Sequence, residues 1–443
     1  MATTILTERN TYSDGLPSSP RPRLLFLAYY FPPHNSSGCV RTWNIAMYLT
    51  RLGWDVTVVT PDPSIWRKTE NNEKVLIQLE KQGIKRILTN HRWCCLVPNH
   101  LKCWDEGLGR VAGGSCRVIA RSLGIDNYIG WIKAADRACS DLSEKDVDVI
   151  LASGSPFIAF KLAKRLADRL GRPYVLDYRD PWTGNPHSIG SSRLSTIQEE
   201  ANLLKGCAAV TIVSPSWGVA LDQAHSVGTK LHVVTNGYNP NEMADVKAHD
   251  FHHCAFVYTG NFYPPKRAIS PFLAALKLFK ENGSESGRNW YFHYYGVHEN
   301  HVREEANRWG LNDLIVLHGR VSQREALSAI KGASLAVVIT SIEDEGVLED
   351  KGIVTGKIFE AIGVGTPVLL IAPKGSDATT TTEATGLVKS FVGTDIHGMA
   401  SFLKDVVRGK VPDRKNVEMF SWANIVKKLD TVLRGAISGT AHA

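Results

Sequence analysis

In the stretch VTGKIFEAIGVGTPVLLI, residues 354 to 371, Lys357 and Glu360 stand three residues apart at the start of a short helix, so both side chains share one face. Two chemistries suit the pair. One is an intrahelical ion pair, worth about 0.2–0.5 kcal/mol. The other is a ligand site, where free N–H groups of the helix start hold phosphate and Glu360 accepts hydrogen bonds from vicinal hydroxyls. Gly352 and Gly356 flank the turn before this helix, and Thr355 is its candidate cap. A helix this short is unstable alone in water, so packing has to hold it.

Other loops carry similar marks. Tyr258-Thr259-Gly260-Asn261 is followed by Lys266 and Arg267. Gly260 lets the backbone approach a ligand closely, and two cations suit a diphosphate. Ser36-Ser37-Gly38, with Arg41 behind it, opens a helix. Its N–H groups can meet an anion, or it is an ordinary serine cap with a small residue behind it. Asp177-Tyr178-Arg179-Asp180-Pro181-Trp182 sets acid, base and tryptophan at a strand end. A loop ion pair with the tryptophan packed over it is the simpler reading there. SGSP, 153 to 156, is a weaker mark before another helix. No Gly-x-Gly-x-x-Gly follows the first strand, which argues against a dinucleotide dehydrogenase. Asp146-Val147-Asp148 precedes a strand, where a metal-binding D-x-D would follow one, and reads as solvated surface.

The elements that would position these loops alternate. Apolar runs of strand length fall at 23–31, 54–60, 146–152, 173–178, 208–214 and 231–237, with helices between them at 40–52, 157–170 and 191–205. The stretch from 61 to 140 reads less clearly, with two helices expected. After a polar segment at 238–253 the rhythm restarts, with strands at 254–260, 290–296, 314–319 and 334–340 and helices at 268–281, 299–309 and 322–331. The opening stretch supplies a further helix and strand, and helices follow near 395–408 and 420–434. Such alternation predicts an α/β fold of two doubly wound parallel sheets, with ligand in the cleft between them.

The 443 residues suffice for two or three domains, and 43% hydrophobic with 21% charged residues fits a globular chain. A net charge of +7 permits an anionic ligand or membrane surface without demanding one, and no Lys/Arg block points to nucleic acid. Residues 1–20 lack an apolar core and read as a disordered leader rather than a secretory signal. No apolar run reaches the length of a membrane span. Eight scattered cysteines, with no C-x-x-C pair, read as free thiols of a reducing cytoplasm.

Together these loops resemble the GT-B fold glycosyltransferases of glycosyltransferase family 4, in the branch of bacterial exopolysaccharide and O-antigen assembly. The carriers are FLAYYFPPHNSSGCVRTWNIAMYLTRLGWDVTVVT, DNYIGWIKAA, DVILASGSPFIAF, YVLDYRDPW, YTGNFYPPK and GKIFEAIGVGTPVLLI, in that order over about residues 22–435. The resemblance implies two Rossmann-like domains facing a central cleft: an acceptor-side domain at 21–240, a linker at 241–253, a donor domain at 254–415, and a helix at 416–435 crossing back. It implies a nucleotide-sugar donor, UDP- or GDP-linked, and a sugar or lipid-linked sugar acceptor. The implied donor-binding residues are Gly38, Arg41, Gly260, Asn261, Lys266, Arg267, Thr355, Gly356, Lys357 and Glu360. Asp180, near the acceptor, and Lys266 are the implied catalytic residues.

A retaining, hexosyltransferase-like, metal-independent transfer without cofactor would follow, in the cytoplasm or at the inner membrane face. Basic and aromatic residues over 85–137 would suit peripheral membrane contact, or form an ordinary amphipathic surface. One departure stands out. The family commonly has two glutamates seven residues apart; Glu360 is the second, the first position is Gly352, and Glu345 and Glu349 lie out of register. Which group contacts the transferred sugar is thereby left open. A nucleotide-sugar 2-epimerase of the same fold and a non-catalytic GT-B subunit are the alternatives.

Overall fold

The computed structural model describes residues 20–34, 36–65, 72–90, 128–186, 194–282, 289–410 and 412–439. The leader at 1–19, most of the basic-aromatic region (91–127) and the start of the helix expected at 191–205 lie outside them. Among the described residues, seven parallel strands form one sheet: β1 (Arg23–Leu27), β2 (Asp55–Pro61), β3 (Lys85–Thr89), β4 (Val149–Gly154), β5 (Tyr174–Tyr178), β6 (Ala209–Ile212) and β7 (Leu231–Val233), in the order β3-β2-β1-β4-β5-β6-β7. A second, six-stranded parallel sheet holds β8 (Cys254–Thr259), β9 (Trp290–Tyr295), β10 (Ile315–Leu317), β11 (Leu335–Ile339), β12 (Val368–Ile371) and β13 (Val388–Phe391), ordered β10-β9-β8-β11-β12-β13.

The central strands read as unbroken apolar runs because helices cover both faces. In β1, Leu25 and Leu27 join the core on one face, while Leu24 and Phe26 join the core on the other. In β8, Phe256 and Tyr258 face one core and Ala255 and Val257 the opposite one. In each sheet the strand order reverses once, between β1 and β4 and between β8 and β11. Loops leaving the carboxyl ends of those four strands are where an open α/β sheet offers a crevice.

The chain passes between the domains twice. Tyr238 donates its N–H to the Phe420 carbonyl and accepts from the Trp422 N–H, both at 2.9 Å. Helix Trp422–Ser438 then packs Trp422, Ile425, Val426 and Leu429 into the core that holds Leu24 and Val56 of the first sheet. The polar segment at 241–253 is not wholly irregular, since helix Pro240–Asp245 opens it with the Asn239 side chain as cap. Two expected strands are shorter: the apolar run at 23–31 leaves the sheet after Leu27, and β7 stops at Val233. No described helix is long and apolar enough to cross a membrane.

Candidate active site

In the second domain, the crevice between β8 and β11 gathers the loops singled out from the sequence. Thr355 caps helix Gly356–Val364 by accepting from the Lys357 N–H at 3.4 Å. A Cβ at Gly356 would meet nothing within 4 Å, so open space lies before the first turn of this helix. Lys357 Nζ lies 3.2 Å from Glu360 Oε2, so the two form the intrahelical pair in the ligand-free protein. Gly260 takes φ +130°, a conformation reserved for glycine, and its N–H donates to the Tyr295 carbonyl at 2.8 Å. The Lys357 stem runs beside it, 3.6 Å from where a Cβ on Gly260 would sit. Asn261 is exposed at the mouth.

The two cations differ. Lys266 Nζ reaches both carboxylate oxygens of buried Asp350, at 2.8 and 2.7 Å. That hydrogen bond raises the lysine above its usual value. Arg267 makes no ion pair among the described residues, and its guanidinium lies 5.3 Å from the Tyr263 ring centroid. Arg267 is therefore the cation with charge to spare, whereas the sequence reading put Lys266 first.

In the first domain, Arg41 does not face the cleft as the donor assignment requires. It is 3% exposed and grips Asp177 through Nε and Nη2, the closest contact being 2.6 Å. Its other donors go to the Val234 and Thr235 carbonyls and to Asn236 Oδ1, so none is left for a phosphate. Burial by itself would raise the Asp177 carboxyl, but Arg41 and hydrogen bonds from Thr211 and Ser153 outweigh it and hold the group below the usual carboxylate range.

Arg179 follows directly on the carboxyl end of β5. It donates to the carbonyls of Gly38, Gly154 and Ser155, tying together the loops after β1 and β4. Burial lowers its pKa, and the charges of Asp180 and Asp177 act against that without reversing it. Gly38 sits at the start of helix Ser37–Arg51 under this guanidinium. Asp180, half-buried, makes no hydrogen bond or close ion pair among the described residues, and its charge acts on the guanidinium of Arg179 beside it. Next to it Trp182 stacks on Phe157, with ring centroids 5.2 Å apart and planes 7° apart. Thr183 in the same loop donates to Glu200, a buried carboxyl that desolvation raises and that His225 Nε2 meets at 3.2 Å.

The carboxyl ends of the two sheets face one another. Ser216, after β6, donates from its N–H and its hydroxyl to Asp377, after β12, at 2.7 Å each. Trp217 Nε1 donates to the Glu349 carbonyl at 2.7 Å. Asp350, Trp217, Asp377 and the Thr183–Glu200 pair were not found from the sequence. Only the acidic run around Glu349 hinted at Asp350; the others pair across a domain boundary or a long sequence gap. Asp148, of the dismissed D-x-D, is bound to Arg23 at 2.7 Å beside the first strand.

Residues 253–407 match the family described as glycosyl transferases group 1. No curated protein matches the sequence. Among solved structures, a sucrose-phosphate synthase from Thermosynechococcus elongatus superposes with TM-score 0.59 and 14% identity over 95% of this chain and 100% of that one. A glycosyltransferase from Rickettsia africae ESF-5 gives 0.57 and 15% over 95% and 99%. HepE from Anabaena, in complex with UDP and glucose, gives 0.55 and 14% over 94% and 100%. At such identities the likeness is one of fold. The chain thus adopts the two-domain GT-B architecture, and its second domain carries the match to group 1 glycosyl transferases.

Proposed function

We propose that the protein transfers a sugar from a nucleoside-diphosphate sugar to an acceptor hydroxyl, with the donor in the β8/β11 crevice and the acceptor on the Asp180 side. The observation that carries this reading is the unfilled space before Gly356, in a domain that matches group 1 glycosyl transferases. Helix-start N–H groups there suit a diphosphate. Glu360 would exchange Lys357 for ribose hydroxyls, while Lys357 turns to phosphate. Gly260 and Asn261 would border the ligand. Arg267, with Lys266 beside it, would neutralise the charge that grows on the leaving diphosphate, which is electrostatic preorganisation.

Asp180 would orient the acceptor hydroxyl, with the Trp182–Phe157 stack as an apolar face for a sugar ring. Retention of configuration, cation-assisted departure without a metal, a UDP or GDP base and a lipid-linked acceptor at the membrane face belong to the proposal through the family 4 resemblance. HepE was solved with UDP and glucose, which favours UDP as the first ligand to test.

Thermal denaturation with UDP, GDP, ADP and TDP, and with their sugar conjugates, tests the reading. A ligand at 100 times its dissociation constant stabilises the fold by about 2.7 kcal/mol. A rise with one base that disappears in Glu360→Ala is the expected result. No rise with any member of the panel would overturn the donor assignment.

A further inference from the structure

The four-residue helix Leu348–Lys351 is held from two sides. From the first domain, Trp217 Nε1 donates to the Glu349 carbonyl at 2.7 Å. A Cβ on Gly352 would fall among the ring atoms of Trp217, so the indole fills the space that a side chain at 352 would need. From the second domain, Asp350, fully buried, receives Lys266 Nζ on both oxygens at 2.8 and 2.7 Å. One turn of backbone therefore carries the docking point of one domain and the counter-ion of a site cation in the other.

We propose that Trp217 and Asp350 are positioning residues for Lys266, coupled through residues 349–352. Docking of the first domain on this turn then sets where the Lys266 ammonium stands. The use of Lys266 on a diphosphate rests on the proposed function; the coupling itself does not. A helix of four residues has no stability of its own, so its neighbours fix its place. A buried carboxylate left unpaired is costly, so Asp350 and Lys266 move together. Relative motion is the default for two domains joined by narrow crossings, and here those crossings are the Tyr238 and Phe420–Trp422 segments. When the domains part, Trp217 leaves Glu349 and Gly352, and the turn that holds Asp350 loses one of its two supports. Lys266 would thus reach its working position only when the cleft is closed, which limits reaction of the donor with water.

Gly352 supplies a clean test. Its φ of −73° and ψ of −6° suit any L residue, so Gly352→Ala adds a methyl without backbone strain, and the methyl displaces Trp217. The full chain would be reductively methylated with 13C, and the Lys266 resonance assigned from Lys266→Arg. Asp350→Asn should move that resonance, because its ion pair is gone. Gly352→Ala and Trp217→Ala should move it too, although neither residue is among the partners of Lys266; Val219→Ala, exposed on the helix of Trp217, should not.

Trp217→Phe, which keeps a ring but loses the N–H, covers the case in which Trp217→Ala fails to fold. A Lys266 resonance unmoved by Gly352→Ala, or unmoved by Asp350→Asn, would overturn the proposal. No nucleotide is used, so this result and the ligand panel fail independently.

Discussion

Arg179 Nη1 donates to the Gly38 carbonyl at 2.8 Å, and a Cβ at position 38 would collide with that same nitrogen. Gly38 lies in a helical turn, so its backbone does not require glycine. A side chain there would have to displace the guanidinium. The same head group binds the carbonyls of Gly154 and Ser155, so one side chain fixes the two loops at the reversal point of the first sheet.

Gly38→Ala should therefore push Arg179 out and loosen both loops while the sheet stays intact. A misplaced group in an active-site wall costs roughly 10²-fold in rate. Loss of sugar transfer on that scale, with an unchanged circular dichroism spectrum, is the expected outcome. Arg179→Lys should behave alike, since a lysine cannot spread three planar donors over three carbonyls. Normal turnover in both variants would take Arg179 out of the site.

Arg41 and Asp177 bear on stability rather than on the ligand. Both are buried, and removing one partner of such a pair typically costs about 3–5 kcal/mol. Asp177→Asn and Arg41→Met should each lower the melting temperature markedly, and the double variant should lose less than the sum of the two. The carboxyl has its pKa depressed in the fold, so its contribution is present above the ordinary carboxylate value and is lost as pH falls through the folded value. Melts of the single and double variants at neutral pH check the first point. Additive losses would mean that the pair is not a unit.

The sequence revealed most of what is local. Continuous apolar runs such as RLLFL announced two-sided burial, and Thr-Gly before KIFEAIG announced a capped helix start. It concealed what is decided by partners far along the chain. Arg41 looked like a phosphate ligand because it follows a glycine at a helix start; only its meeting with Asp177, 136 residues on, shows where its charge goes. β3, KRILT, was missed because an edge strand can carry charged residues, here Lys85 and Arg86, and its apolar run is only two residues long. Lys266 stood out as a cation beside a glycine loop, but its counter-ion Asp350 sits 84 residues away in an acidic segment with no periodic signal.

Three imidazoles form a chain in the second domain. His253 Nε2 lies 2.8 Å from His293 Nε2, His293 Nδ1 lies 2.9 Å from His318 Nε2, and His318 stacks on Tyr295 at 4.0 Å. Burial lowers all three, and His293 falls to about 4. The unfolded rings bind protons near 6.5, above the folded values, so the neutral chain contributes fully above that pH. The contribution drains away as pH falls from about 6.5 towards about 4, and for the buried ring of His293 by at most about 1.4 kcal/mol per pH unit. His293→Gln retains a donor and an acceptor but does not titrate. Its denaturation midpoint should lie below that of the parent at pH 7 and change less steeply between pH 6.5 and 4. If the slope is unaltered in His293→Gln, the acid sensitivity of the protein in that window does not arise from this chain.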